Sequence, residues 1–114
     1  MKIEDLLRSE RSQEARTWLE GGPPGSRTLG EAGDPEESRE LVEELYRLGA
    51  ERVTAVDIMQ YESGEENTGT LVITLPDDPV RRAALFARCG ELAREQGFDP
   101  EDDLGQKHLL VMLD

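Results

Sequence analysis

Cysteine is nearly absent from this chain. Cys89 stands alone, so no internal disulfide can form and nothing marks an oxidising compartment. Histidine is as scarce: His108 is the one residue of its type, and zinc sites of recognised His and Cys spacing lack a ligand set. The aromatics are Trp18, Tyr46, Tyr61, Phe86 and Phe98. They are too scattered, and too far from bases, to form a stacking platform for nucleic acid. No apolar run approaches the roughly 20 residues that cross a bilayer. The opening MKIEDLLRSERSQEAR is charged throughout and has no signal-peptide core. These absences predict a cytoplasmic protein that uses no membrane.

Positive charge is the other shortage. Thirteen bases face 26 acids, for a net charge of -13. Residues 1–30 balance, so the whole excess falls on residues 31–114, with 21 acids against 8 bases. Such a body repels nucleic acid and anionic lipid and attracts basic partners or cations.

What is present is a patterned chain of 114 residues, enough for one modest core. Residues 3–19 carry a broken helical pattern, and GGPPGSRTLGEAGD (21–34) reads as an extended loop or linker. A soft boundary follows, with an N-terminal helical segment and Gly/Pro-rich linker over 1–33 and the main domain over 34–114. Asp34-Pro35 opens an amphipathic helix whose apolar face is Leu41, Val42, Leu45, Tyr46 and Leu48, closed by Gly49. ERVTAVDIMQ (51–60) and TGTLVITLP (68–76) predict a β-hairpin joined by a long acidic loop, YESGEENTG. Asp78-Pro79 opens a second helix that runs to about Gln96, stopped by Gly97. The unbroken apolar run Lys107–Leu113 predicts a last strand buried on both faces, with neighbours on both edges.

The core order α-β-β-α-β predicts an α+β fold, a two-layer sandwich with helices on one face of a mostly antiparallel sheet. In element order it resembles a ferredoxin-like βαββαβ domain whose first strand is missing or weak, with Arg27–Gly30 as the candidate. That resemblance covers residues 27–113 and implies no activity. The second helix carries two apolar stripes, Val80, Ala83, Phe86, Ala87, Gly90 and Ala93 in one, and Leu85, Cys89 and Leu92 in the other. Together they exceed what one sheet covers. The surplus stripe, taken as Leu85, Cys89 and Leu92 with the other as primary, is expected to pack on the Trp18 segment or on a second copy of the chain, as a homodimer.

Little of this looks like catalysis. In Asp99–Asp103, DPEDD, the third Asp-Pro pair predicts another capped helical turn, with Asp99 as cap. A calcium loop would need a glycine at its sixth position and a glutamate at its twelfth. Leu104 and Leu110 stand there instead. The alternative is a carboxylate-rich divalent-metal site built on Asp99, Asp103 and His108, extended by Asp57, Asp77 and Asp78, in a metal-binding module or metal-dependent enzyme. Cys89 sits mid-helix like a small hydrophobe. Asp57 reads as a strand-end carboxylate reaching solvent, and Arg81, Arg82, Arg88 and Arg94 as a solvated face.

The charge and the want of a catalytic constellation point to a small acidic protein-interaction domain, leaning away from an enzyme and needing no cofactor. It would act as adaptor, regulator or inhibitor, docking the basic surface of a protein partner through Glu36, Glu40, Glu43, Tyr61, Glu62, Glu65 and Glu66. A variant of this reading is a nucleic-acid mimic, in which spaced carboxylates copy phosphates.

Overall fold

A computed structural model describes residues 2–30 and 33–113. Positions 31 and 32 of the glycine-rich stretch lie outside it. In chain order the elements are α1 (Ile3–Arg8), β1 (Gln13–Glu14), α2 (Ala15–Glu20), β2 (Arg27–Leu29), α3 (Pro35–Arg47), β3 (Arg52–Val56), β4 (Met59–Gln60), β5 (Glu66–Thr68), β6 (Thr70–Thr74), α4 (Pro79–Glu95) and β7 (His108–Met112). The fold is α+β. Sheet A has the order β1-β3-β6-β7 and every pair is antiparallel; sheet B has the order β2-β5-β4.

Both long helices start as their sequence predicts. Asp34 Oδ1 accepts from the amides of Glu36 and Glu37 at 2.8 and 3.0 Å, and Asp78 Oδ2 accepts from the Arg81 amide at 2.9 Å. Each proline sits in the first turn, where its missing N–H loses nothing.

The expected hairpin is present, but it is longer and bent. β3 and β6 pair from Arg52↔Thr74 to Val56↔Thr70, and β4 and β5 continue the same register at Met59↔Asn67. The interruption falls at Asp57, whose φ of +53° makes it the one left-handed non-glycine residue among those described. Opposite it, the buried Thr68 hydroxyl donates to the Val56 carbonyl and accepts from the Thr70 amide at 3.1 Å. Those bonds satisfy backbone groups where the ladder lapses. The predicted long acidic loop shrinks to Glu62–Gly64, because Tyr61 N–H bonds to Glu65 O at 3.0 Å and Gly64 takes φ +91°.

The ferredoxin-like order is not what these registers form. Arg27–Leu29 is a strand, but it lies parallel to β5 in sheet B, and β7 pairs directly with β6. Three side chains hold β2 in place: Asn67 Nδ2 donates to Thr28 Oγ1 and to Gly30 O, and the Leu29 amide donates to the buried Ser38 Oγ.

One core crosses the boundary suggested at 33/34. Trp18 and Ala15 are fully buried and cluster with Val42 and Leu45 of α3, Val53, Leu71, Ile73 and Leu109 of sheet A, and Leu85 of α4. The indole Nε1–H donates to Glu66 Oε1 at 2.8 Å. Arg27 pairs with that carboxylate at 3.5 Å and bonds to the Trp18 carbonyl at 2.9 Å. Gly21 makes this possible, since a Cβ there would lie 2.3 Å from Arg27 Nη1. The Gly-rich stretch is therefore a fitted turn at that point.

Two expectations about the last third of the chain are corrected. On α4, Leu85, Cys89 and Leu92 face the core, whereas Val80 and Ala87 are exposed and Phe86 and Ala93 half-buried. The stripe taken as primary is thus the surplus one. β7 lies at the edge of sheet A; Leu109 and Val111 are buried, but Met112 is 42% exposed.

Candidate partner-binding surfaces

Four elements build a hydrogen-bonded cluster that docks the N-terminal segment. Glu14 caps α2, accepting from Thr17 N and Thr17 Oγ1 at 2.7 Å each and from Arg16 N at 3.0 Å. It also accepts from the Tyr46 hydroxyl, which in turn accepts from Val53 N at 3.0 Å. Partial burial pushes the Glu14 carboxyl up, but the bonds from Tyr46, Thr17 and Arg16 outweigh it and bring it down to about 2. Burial and the Glu14 bond push the Tyr46 phenol up. Arg16 lies 4.3 Å from the Tyr46 ring centroid and makes a two-point bond to Glu43. This cluster is architecture: the carboxylates of Glu14 and Glu43 and the Tyr46 hydroxyl are all engaged within the chain.

The candidate docking residues separate into two groups. Glu36 and Glu40 are exposed along α3, while Glu43 is engaged with Arg16. Tyr61, Glu62 and Glu65 are exposed at the hairpin turn, while Glu66 is turned inward to Trp18, Arg27 and Gln60. None of the ion pairs among the described residues uses Glu36, Glu40, Glu62 or Glu65.

The turn group borders a polar cavity of about 660 Å³ over sheet B, where Asp57, Met59, Tyr61, Glu65, Asn67 and Thr70 meet. The bend at Asp57 creates it by carrying β4 and β5 out of line with β3 and β6. Sequence reasoning picked out Tyr61 and Glu65 but not Met59 or Asn67. The one signal was the aspartate between Val56 and Ile58, which proves to be the bend.

The DPEDD stretch forms no helical turn. Residues 98–103 lie across α4, with Pro100 so close to Gly90 that an added Cβ would stand 3.3 Å from its Cβ. Arg82 clamps the crossing: it grips Asp103 at 2.7 and 3.2 Å and donates to the Gln106 and Pro76 carbonyls. That guanidinium holds the Asp103 carboxyl below its usual range. Arg82 and Arg88 are accordingly not a solvated face; Arg88 bridges α4 to Glu44 of α3 at 3.0 Å. Asp99, Asp103 and His108 do not converge, and no group of three or more His, Cys, Asp or Glu side chains is placed to hold a metal ion among the described residues. Burial pushes the Cys89 thiol up to about 12, far from thiolate chemistry.

A second hollow, of about 380 Å³ and largely apolar, lies where the surplus α4 stripe meets β7. Phe86, Gly90, Ala93 and Phe98 line it together with Asp99 and Glu101.

No protein-family model matches the chain, and neither a curated protein nor a solved structure shows significant similarity to it. Among the described residues no helix is long and apolar enough to cross a membrane.

Proposed function

We propose that this chain is a non-enzymatic protein-interaction domain, an adaptor, regulator or inhibitor that docks a basic surface of a partner protein. The observation that carries the reading is the cavity at the hairpin turn. An exposed aromatic ring, a thioether and the carboxylates of Asp57 and Glu65 line it together, and it has room for more than one side chain. That combination suits an arginine or lysine, whose cation is held by carboxylates and whose stem lies against apolar atoms. Two further facts support it. Arg16, Arg27, Arg82 and Arg88 are paired with carboxylates of the chain, whereas Glu36, Glu40, Glu62 and Glu65 are exposed and enter none of the ion pairs among the described residues. The groups most suited to catalysis, Cys89 and Asp103, are respectively buried as a neutral thiol and clamped by arginine.

The test compares capture from source-cell lysate by the wild-type chain and by a Glu62→Lys/Glu65→Lys variant, at about 50 and about 500 mM salt, where screening shortens from roughly 14 to roughly 4 Å. A specific protein held by the wild type at low salt, released at high salt and missed by the variant is expected. A partner captured equally by both chains refutes docking at the turn. Release of the partner by excess duplex DNA would instead favour the nucleic-acid-mimic form of the same reading.

A further inference from the structure

Among the described residues β7 is the outer strand of sheet A and pairs with β6 alone. Lys107 O accepts from Leu75 N at 2.8 Å and Leu113 N donates to Gly69 O at 2.7 Å, so the odd-numbered residues turn their backbone groups inward. By strand alternation, His108, Leu110 and Met112 present theirs outward. The Leu110 amide confirms the direction, donating to Glu101 Oε2 at 3.2 Å. A carboxylate oxygen thus stands where the carbonyl of a neighbouring strand would lie. Protein edges are usually protected by charges pointing inward, prolines or a covering element. This one is apolar and runs beside the hollow under Phe86, Ala93 and Phe98.

We infer that the β7 edge and the adjoining hollow receive an extended segment of a partner protein in which apolar residues alternate with lysine or arginine. Period-two alternation sends one set of side chains into the apolar hollow and turns the other away from it, where lysine or arginine stays solvated and is drawn by the body's net charge of -13. Asp99 and Glu101 line the same hollow, within reach of a basic residue at the end of the segment, and Glu101 is exposed and able to exchange the Leu110 amide for a cation. Charge decides against a second copy of the chain: pairing two β7 strands about Leu110 would bring two Glu101 carboxylates together between bodies of charge -13 each. The inference rests on the basic-partner reading above but uses a different surface.

The probe is a fluorescently labelled peptide, acetyl-KVKVKVK-amide, titrated against the full chain by anisotropy and by ¹⁵N amide shifts. Saturable binding is expected, with shifts at Leu110 and Met112. Leu110→Pro should weaken it by at least about tenfold, because it removes an edge donor and leaves the incoming carbonyl unpaired. That amide makes no bond to β6, and proline is tolerated at such positions. Phe98→Ser, at a side chain already 46% exposed, removes apolar wall without adding charge and should weaken binding comparably without threatening the fold. Absence of saturable binding, or equal binding by both variants, overturns the inference. So does a dimer of the chain alone that Leu110→Pro dissociates in sedimentation, which would seat a second copy on the edge. Shifts confined to Tyr61 and Glu65 overturn it while sparing the proposed function. Shifts at β7, with a lysate partner indifferent to Glu62→Lys/Glu65→Lys, do the reverse.

Discussion

Replacing Glu14 by glutamine should destabilise the fold at neutral pH and cease to matter in acid. The carboxylate receives four hydrogen bonds, from Thr17 N, Thr17 Oγ1, Arg16 N and the Tyr46 hydroxyl. Together they hold its pKa at about 2 against an ordinary 4.5. Taken whole, that fall would correspond to roughly 3 kcal/mol. The group is only partly buried, and screening by the water that still reaches it reduces the expected contribution to about 1–2 kcal/mol. The folded pKa lies below the unfolded one, so the stabilisation is complete above about pH 5 and is lost as pH falls through 4.5 towards 2. Urea unfolding read by tryptophan fluorescence is the assay, since Trp18 is the sole tryptophan and fully buried. Glu14→Gln should be less stable than wild type by about 1–2 kcal/mol at pH 7, falling below half of that by pH 3. A difference that persists unchanged at pH 3 would refute the electrostatic origin, and no difference at pH 7 would refute the cluster's contribution.

Glu66→Ala should lower stability by about 1.5–3 kcal/mol in the same assay, since it leaves the buried indole N–H and Arg27 without their charged acceptor. Asp57→Val should destabilise by about 1–2 kcal/mol while Asp57→Gly should not, because a β-branched residue resists φ +53° and glycine adopts it freely; equal effects in thermal melts would argue that the bend is dispensable. Cys89 should resist a thiol-specific reagent in the native protein at pH 8 and react fully in urea, its thiol being pushed to about 12 by burial. Rapid native labelling, followed by absorbance, would contradict that burial.

Local chemistry was legible wherever neighbouring residues decide the outcome. Asp34-Pro35 and Asp78-Pro79 cap helices because a side-chain oxygen, a ring and free amides lie within three residues of one another. The β-branched runs at 52–56 and 70–74 formed strands for the same reason. Asp99-Pro100 shows the limit of such reasoning: its pattern matches the two caps, yet Arg82 and the room left by Gly90 draw it across α4 as an extended crossing. The α4 stripes show it too. Periodicity groups Leu85, Cys89 and Leu92 apart from Phe86, Gly90 and Ala93 but does not say which group meets the sheet.

By itself, the sequence determined the α+β class, the ends of the long helices, the paired strands and the acidic excess, all of them set by short-range sterics, capping and composition. Long-range packing set the rest: Trp18 joins the main core, Arg27–Leu29 enters a second sheet, and Glu66 turns inward while Glu65 stays out. Tertiary packing also decided that an apolar strand ends at an open edge. Those outcomes depend on which distant surfaces meet, and the free energy of such contacts is not written in any one segment.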